Sequence, residues 1–336
     1  MKRNHILFAA ILFLSVVFLQ ACGNGGGEDA SNEGNGDAGG EAANYPERTI
    51  ELVVGYGEGG GTDNFARLVG QKMSEKLGEN INVVNQPGSR GAIAEEYVQN
   101  QPADGYTIWV ATPDILVNIA TDSTPYPLED YTPLGRGQLD TYTIQTSSDS
   151  EFDDIDAVIE AAQENPGTIT IGGTAADGFD ELSADRVMED LDIELRYVPY
   201  DEAGMMHSDV LGGHTDLMLE EIGPAKATIE SGDLDVLAIF IDNEEVEGFE
   251  DVPTNPERGW EFTDGNARSF YVKSDTPEEI INVLEEAYAE VILEDEEYLQ
   301  YEEDNYLHIR EDGYLPREEY EQLNEELLQE YEETLN

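Results

Sequence analysis

The chain has 336 residues, 75 of them acidic against 16 basic, for a formal charge of −59. Repulsion on that scale excludes nucleic acid and bare anionic lipid surfaces as partners. The single cysteine excludes a disulfide framework and a thiolate metal site. The acidity reads as adaptation to a saline medium outside the cell, which describes a habitat and leaves function open.

In chain order, Met1-Lys2-Arg3-Asn4-His5 is a short basic start, and residues 6–18 are almost unbroken apolar sequence. That stretch is too short to span a bilayer, so residues 1–21 read as a signal peptide. Cys22 follows at once in LQAC, which resembles the bacterial lipobox, where the cysteine is acylated and becomes the mature N-terminus. The alternative is a stray cysteine in an ordinary signal peptide. Residues 22–44, rich in Gly, Asn and acid, carry no apolar periodicity and read as a flexible tether reaching roughly 25 Å from the anchor.

The remaining length is enough for two domains with their own cores. Apolar strand-like runs fall at 50–56, 81–85, 107–111, 142–146, 168–172, 195–200, 217–219, 236–241 and 269–272. Helical patterns separate most of them, at 64–77, 155–164, 182–190, 203–211 and 225–230. Alternation of this kind predicts α/β layers with mostly parallel sheets. Thr276 reads as an N-cap ahead of Pro277, Glu278 and Glu279. Residues 316–335 predict an amphipathic helix with Tyr320, Leu323, Leu327, Leu328 and Tyr331 on one side.

The first strand runs into VVGYGEGGGTDNFARLV, residues 53–69. Gly55 to Gly60 satisfy the dinucleotide fingerprint G-x-G-x-x-G. A dinucleotide site also wants an acidic residue at the end of the second strand, and here that strand ends in Asn85-Gln86-Pro87. What survives is a loop whose backbone can come close to a ligand, ahead of a helix N-terminus that attracts an anion, with Thr62 adding a hydroxyl. The alternative is a loop that only turns the chain. Acidic runs such as EDEEYLQYEEDN lack the spacing of a calcium loop and read as solvated faces. Four histidines show no H-x-x-x-H pair, and no G-x-S-x-G elbow occurs, so neither a metal, a cofactor nor catalysis is expected.

The stretch from Tyr45 to Thr112, with VVGYGEGGGTD, VVNQPGSRG and DGYT in order, resembles the substrate-binding proteins of tripartite tricarboxylate transporters, the Bug family. The likeness continues through PYPLEDYTPLG, VPYDEAGMMHSDVLGGHTDLM, DVPTNPERGW and SDTPEEIINVL, and so covers the chain from Tyr45 to the C-terminal helix. It implies a two-lobed periplasmic-binding-protein-like fold, each lobe a mostly parallel sheet flanked by helices. Lobe 1 would take 45–140 and 242–336, and lobe 2 would take 141–241. It implies a monomeric, lipid-anchored receptor that closes on a small di- or tricarboxylate. The receptor would hand its ligand to one large and one small membrane subunit.

Carried onto this chain, the first ligand loop is Gly59-Gly60-Gly61-Thr62-Asp63, joined in lobe 1 by Thr112, Asp114 and Asn118. Lobe 2 would contribute Gly173, Thr174, Ala175, Ala176, Asp177 and Gly178, then Tyr200, Asp201 and Ala203, then Glu220. The chain departs from the family pattern at Gly173, Asp177, Gly178, Glu181, Asp201 and Glu202, which remove hydroxyls or add negative charge. These departures point away from citrate and leave room for a ligand with an amino group or a bound cation. For Asp177, Asp201 and Glu202 the alternative is surface acidification. A sensory binding protein that presents its ligand to a histidine kinase, or a secreted hydrolase, is the competing function.

Overall fold

The computed structural model describes residues 44–310 and 312–335. The signal peptide, Cys22 and the tether up to residue 43 therefore lie outside the described residues. No helix among the described residues is long and apolar enough to cross a membrane.

Among the described residues ten strands form two five-stranded sheets. The lobe 1 sheet has the order β2-β1-β3-β10-β4, from β1 (Ile50–Val54), β2 (Ile81–Asn85), β3 (Thr107–Ala111), β4 (Tyr131–Leu139) and β10 (Ala267–Lys273). The lobe 2 sheet has the order β7-β6-β8-β5-β9, from β5 (Tyr142–Ser147), β6 (Thr170–Thr174), β7 (Arg196–Tyr200), β8 (Leu217–Glu221) and β9 (Leu234–Ile239). Both sheets are mixed in the same way. In lobe 1 only β10 runs against its neighbours β3 and β4, and in lobe 2 only β5 runs against β8 and β9.

The reversed strands are where the chain enters each lobe. The first crossing is Asp140-Thr141, between β4 and β5. Residues 242–262 stay with lobe 2: Pro253 O accepts from Ile239 N at 3.1 Å, and Arg258 pairs with Asp156 at 2.6 Å. The return falls at Gly265-Asn266, where Asn266 O accepts from Asp140 N at 3.2 Å.

Helices α1 (Gly61–Leu77), α2 (Ala92–Gln99), α3 (Asp114–Ala120), α9 (Glu278–Glu294) and α10 (Glu296–Asp304) cover lobe 1. Helices α4 (Ile155–Glu164), α5 (Phe179–Asp190), α6 (Ala203–Leu211), α7 (Ile222–Ser231) and the short α8 (Asn255–Arg258) cover lobe 2. The last helix, α11 (Arg317–Leu335), spans both: Tyr320 stacks near Tyr271 of lobe 1, and Tyr331 near Phe179 of lobe 2. Of its predicted inner face, Tyr320 and Tyr331 are buried and the leucines half-buried.

Two expectations fail locally. Thr276 does not cap α9; Pro277 occupies the N-cap position, and no side chain bonds the first turn. The sequence reading also has no strand over 131–139. Pro133, Gly135 and Gly137 break the alternation there. Strand β4 tolerates them because β10 is its only partner strand among the described residues, through a bulged register, with a single bridge from Arg136 to Leu315 on its other side, and Gly135 takes φ +115°.

Candidate ligand cleft

The carboxyl ends of β1 and β3 and the start of β10 face the carboxyl ends of β6 and β8 and the start of β5. In open α/β sheets this edge is where ligands bind, because loops and helix N-termini collect there. Helices α1, α5 and α7 all begin at this seam, and none has a side-chain cap.

The loop after β1 is held from within lobe 1. Asp63 Oδ2 accepts from Gly59 N at 2.8 Å and from Arg67 Nε at 2.8 Å, and its Oδ1 accepts from Asn85 Nδ2 at 2.8 Å. Burial acts to raise the Asp63 carboxyl, but the bonds from Arg67, Gly59 and Asn85 outweigh it and leave it below its ordinary value. Asp63 is thus a loop organiser, and its oxygens are spent. Gly59 needs to be glycine, with φ +82°. Gly60 does not: it takes φ −76°, and a Cβ there would meet open space apart from Gly57 O at 3.9 Å. At Gly61 a Cβ would collide with the guanidinium of Arg268. Thr62 turns its hydroxyl inward to accept from Arg268 Nε at 3.2 Å.

Beside it, the Tyr56 hydroxyl lies 2.5 Å from Thr112 Oγ1 and donates to Asp114 Oδ2 at 2.7 Å. Asp114 Oδ1 reaches across the seam and accepts from Phe179 N, the first amide of α5, at 2.8 Å. Burial pushes Asp114 up to about 6, against the lowering effect of the bonds from Phe179 and Tyr56. Arg90 crosses at the same point. Its Nη1 donates to Ala176 O at 3.0 Å and Asp177 O at 2.7 Å, and its Nε donates to Asn118 Oδ1 at 2.8 Å. Arg90 has φ +52°, a left-handed backbone that these bonds hold in place.

The lobe 2 loop is therefore fastened from both sides. Within lobe 2, Ala175 N donates to Tyr200 O at 2.8 Å, and Tyr197 OH donates to the Thr174 and Ala175 carbonyls at 3.1 and 3.0 Å. From lobe 1, Arg90 holds the next two carbonyls. Ala175 and Asp177 both have positive φ, at 60° and 54°. The Asp177 amide donates to Glu181 Oε2 at 2.6 Å, so Glu181 steadies the loop from its own helix. Thr174 donates through both N and Oγ1 to Asp180 Oδ2, at 2.9 and 2.6 Å, while Tyr142 OH donates to Oδ1 at 2.5 Å. Burial raises the Asp180 carboxyl. Gly178 is the N-cap of α5 and has Asp114 Oδ1 3.0 Å from where a Cβ would sit. Gly173 lies inside β6, where its missing side chain admits the Tyr197 ring; a Cβ there would fall 2.6 Å from the ring's hydroxyl.

Other candidates make their hydrogen bonds within lobe 2. The Tyr200 hydroxyl is turned into lobe 2, donating to Asp209 at 3.0 Å and lying 2.6 Å from Thr215 Oγ1. Asp201 and Glu202 are exposed, and Ala203 begins α6 half-buried. Glu220 is buried: its Oε2 lies 2.9 Å from His207 Nε2, and its Oε1 accepts from Glu221 N at 3.0 Å. Burial pushes Glu220 up and His207 down, so the contact is a hydrogen bond between groups driven toward neutrality.

Sequence reading missed Tyr56, Arg90, Glu221 and Arg268. Arg268 is buried, with Nη2 donating to Glu221 Oε1 of lobe 2 at 3.0 Å and Nη1 paired with Asp140. Burial lowers its pKa to about 10, so it stays cationic at neutral pH. In a chain with so few basic residues, an arginine inside an apolar strand (ARSFYVK) was the available signal. No group of three or more His, Cys, Asp or Glu suited to a metal occurs among the described residues.

Two facing lobes with helix N-termini converging on their seam define a two-lobed solute-binding protein. The sequence signature of the tripartite tricarboxylate transporter family receptor matches residues 65–306. The chain belongs to that family. A Pseudomonas sp. (strain P51) protein, the UPF0065 protein of the tcbD-tcbE intergenic region, is 29% identical over 187 residues, 55% of this chain and 56% of its own length. The chain thus spans little more than half of that relative. A solved periplasmic transporter is 26% identical with TM-score 0.77, covering 87% of this chain and 97% of the other. MatC (Rpa3494) from Rhodopseudomonas palustris, solved with bound malate, has TM-score 0.75 at 22% identity, covering 87% and 100%. The chain is an extracytoplasmic solute receptor of this family.

Proposed function

We propose that this receptor captures a small di- or tricarboxylate between its lobes and delivers it to the membrane subunits of a tripartite tricarboxylate transporter. We propose further that acylated Cys22 holds it, as a monomer, at the outer face of the cell membrane. The observation that carries the first reading is the convergence of the α1, α5 and α7 N-termini, none capped by the side chain of its own N-cap residue, with Arg90 and Arg268 on one interlobe seam. Helix N-termini and guanidinium groups are carboxylate-binding elements. MatC, a structural neighbour, carries malate. Lobe 1 is assigned to 45–140 and the chain from Gly265 onward, with the last helix shared. A ligand that makes contacts from both lobes favours the closed arrangement and so signals its presence by shape.

The test is a thermal-shift screen of the tag-free mature domain in high salt against small carboxylates, amino acids and aromatic acids. Saturable stabilisation by a di- or tricarboxylate is expected; stabilisation by none of the acids would sink the reading. For the anchor, Cys22→Ser should release intact protein or leave an uncleaved precursor. Mature-length protein that still fractionates with membranes would overturn single-point anchoring.

A further inference from the structure

Arg268 occupies a place where a bare cation is costly. It is 3% exposed and lies against the positive end of α1, with Nε 3.2 Å from Thr62 Oγ1. The absence of a side chain at Gly61 lets the guanidinium sit there. Two carboxylates balance it, and they differ in origin. Asp140 is on the crossing between lobes and is fixed by Gln138 Nε2 at 2.6 Å. Glu221, 3.0 Å away, belongs to lobe 2 and moves with that lobe.

The guanidinium lines a cavity of about 30 Å³ together with Gly61, Asn64, Gln138, Gly223 and Asn305. That is room for roughly one water molecule. Gln138 is 2% exposed, and its Oε1 has no hydrogen-bond partner there. The reverse amide orientation would turn that oxygen on the Asp140 carboxylate, so charge fixes the assignment.

We propose that Arg268 is the residue that reads the ligand's carboxylate, and that Glu221 competes for the same guanidinium and clasps the lobes together when it holds it. The inference rests on the carboxylate-receptor reading above. Guanidinium forks pair best with one planar carboxylate at a time, and the second fork position is already taken by Asp140. In the exchange one acid leaves Arg268 as another arrives. Glu221, whose carboxyl burial and Glu220 push up and whose Oε1 also accepts from Asn266 Nδ2 at 2.8 Å, gives way to the ligand's carboxylate. Glu221 therefore lowers affinity for the ligand while making closure available through protein contacts alone.

The experiment uses the mature chain in a Cys22→Ser background, spin-labelled at Glu96→Cys and Glu164→Cys, with and without Glu221→Gln. Electron–electron distance measurement reads lobe separation, and calorimetry reads binding of L-malate and of the best acid from the thermal screen. Glu221→Gln should lengthen the interlobe distance of the ligand-free protein and tighten carboxylate binding about tenfold. Arg268→Lys, which keeps the charge but not the fork, should weaken it by about the same factor. Circular dichroism checks the fold, and Glu221→Asp serves if Glu221→Gln does not fold. An unchanged distance in the Glu221 variants overturns the clasp. Weaker carboxylate binding in those variants overturns the competition, since Glu221 would then touch the ligand itself. If wild-type protein binds no acid, the receptor reading fails, and the distance measurement still decides the clasp.

Discussion

The two loops that face each other across the cleft look alike in sequence and are built differently. Both follow a buried strand, both are glycine-rich, and both lead into a helix without a side-chain cap. Residues 59–63 are tied down inside their own lobe, by Asp63 with Gly59, Arg67 and Asn85. Residues 174–178 carry two non-glycine residues with positive φ and are held partly by Tyr197 and Tyr200 of their own lobe and partly by Arg90 of the opposite lobe, with Asp114 taking the next amide, Phe179 N. Strained backbone persists only where its surroundings over-determine it. Lobe 1 thus presents a half-site tied within itself, whereas the lobe 2 half adds the Arg90 and Asp114 bonds when the lobes meet.

The largest test of that contrast is Asp63→Ala. It removes three bonds to a buried carboxylate and should cost about 2–3 kcal/mol in urea unfolding. Asp177→Ala, at an exposed side chain in the facing loop, should stay within about 0.5 kcal/mol. Equal losses would erase the distinction. The carboxyl of Asp63 is held below its ordinary value, so its contribution is present above the usual carboxylate range and is lost as pH falls through the folded value.

Next comes Gly61→Ala, which must displace the Arg268 guanidinium and should cost about 1–3 kcal/mol and carboxylate affinity with it. Gly60→Ala, at ordinary φ and with open space, should leave stability within about 0.5 kcal/mol. If Gly60→Ala nonetheless abolishes binding with the fold intact, the ligand's approach is at Gly60 and not at Arg268.

Asp114 sharpens the contrast through pH. Burial raises it to about 6, and opening the seam returns it toward its ordinary value. The closed form binds the extra proton, so acidification through pH 6 favours closure and alkalinisation weakens it. Tyr56, Arg90, Tyr142, Asp180 and Tyr197 face this carboxyl; burial also raises Asp180, which acts in the same direction. Interlobe distances in the ligand-free protein at pH 5 and 8 should differ, and Asp114→Asn should flatten the difference. A slope that survives this substitution assigns the proton elsewhere.

Most of the strands and the long helices were legible because their periodicity is strong. Residues 81–85, 107–111, 155–164 and 203–211 have the bounds of their elements. Strand β4 was not, since its glycines and proline carry no alternation and its place depends on β10, far along the chain. Gly59–Asp63 and Gly173–Gly178 were legible as loops, and Thr112 as a strand end with Asp114 and Asn118 on the helix after it; the structure brings them to one seam. Their roles were not. Whether a glycine serves a ligand, as a loop reading suggests, or an arginine two hundred residues later, as at Gly61, is decided by tertiary contact. Arg90 was invisible for the same reason, and Arg268 stood out only as an arginine inside an apolar strand: nothing local marks a side chain that crosses between lobes.

The smallest expected effect is the most direct measure of where the strain lies. Gly59 and Ala175 have nearly the same left-handed backbone, φ +82° and +60°, in the two facing loops. A Cβ at Gly59 would touch nothing within 4 Å, so Gly59→Ala carries a backbone cost alone, about 1 kcal/mol. Ala175→Gly is the reverse exchange. It relieves a similar strain but gives back part of the gain through the freer unfolded chain, so stability should rise by less than about 1 kcal/mol. Calorimetry should show melting temperatures moving in opposite directions by about 2 °C or less for a body of this size. The relief should also loosen the coupling to closure, because a loop with less strain at Ala175 depends less on the Arg90 bonds to the Ala176 and Asp177 carbonyls to keep its shape in the open form. Amide exchange at Ala176 and Asp177 should then depend less on ligand in the glycine variant. A fall in melting temperature for both exchanges would mean that Ala175 is stabilised locally, and that both half-sites are finished before the lobes meet.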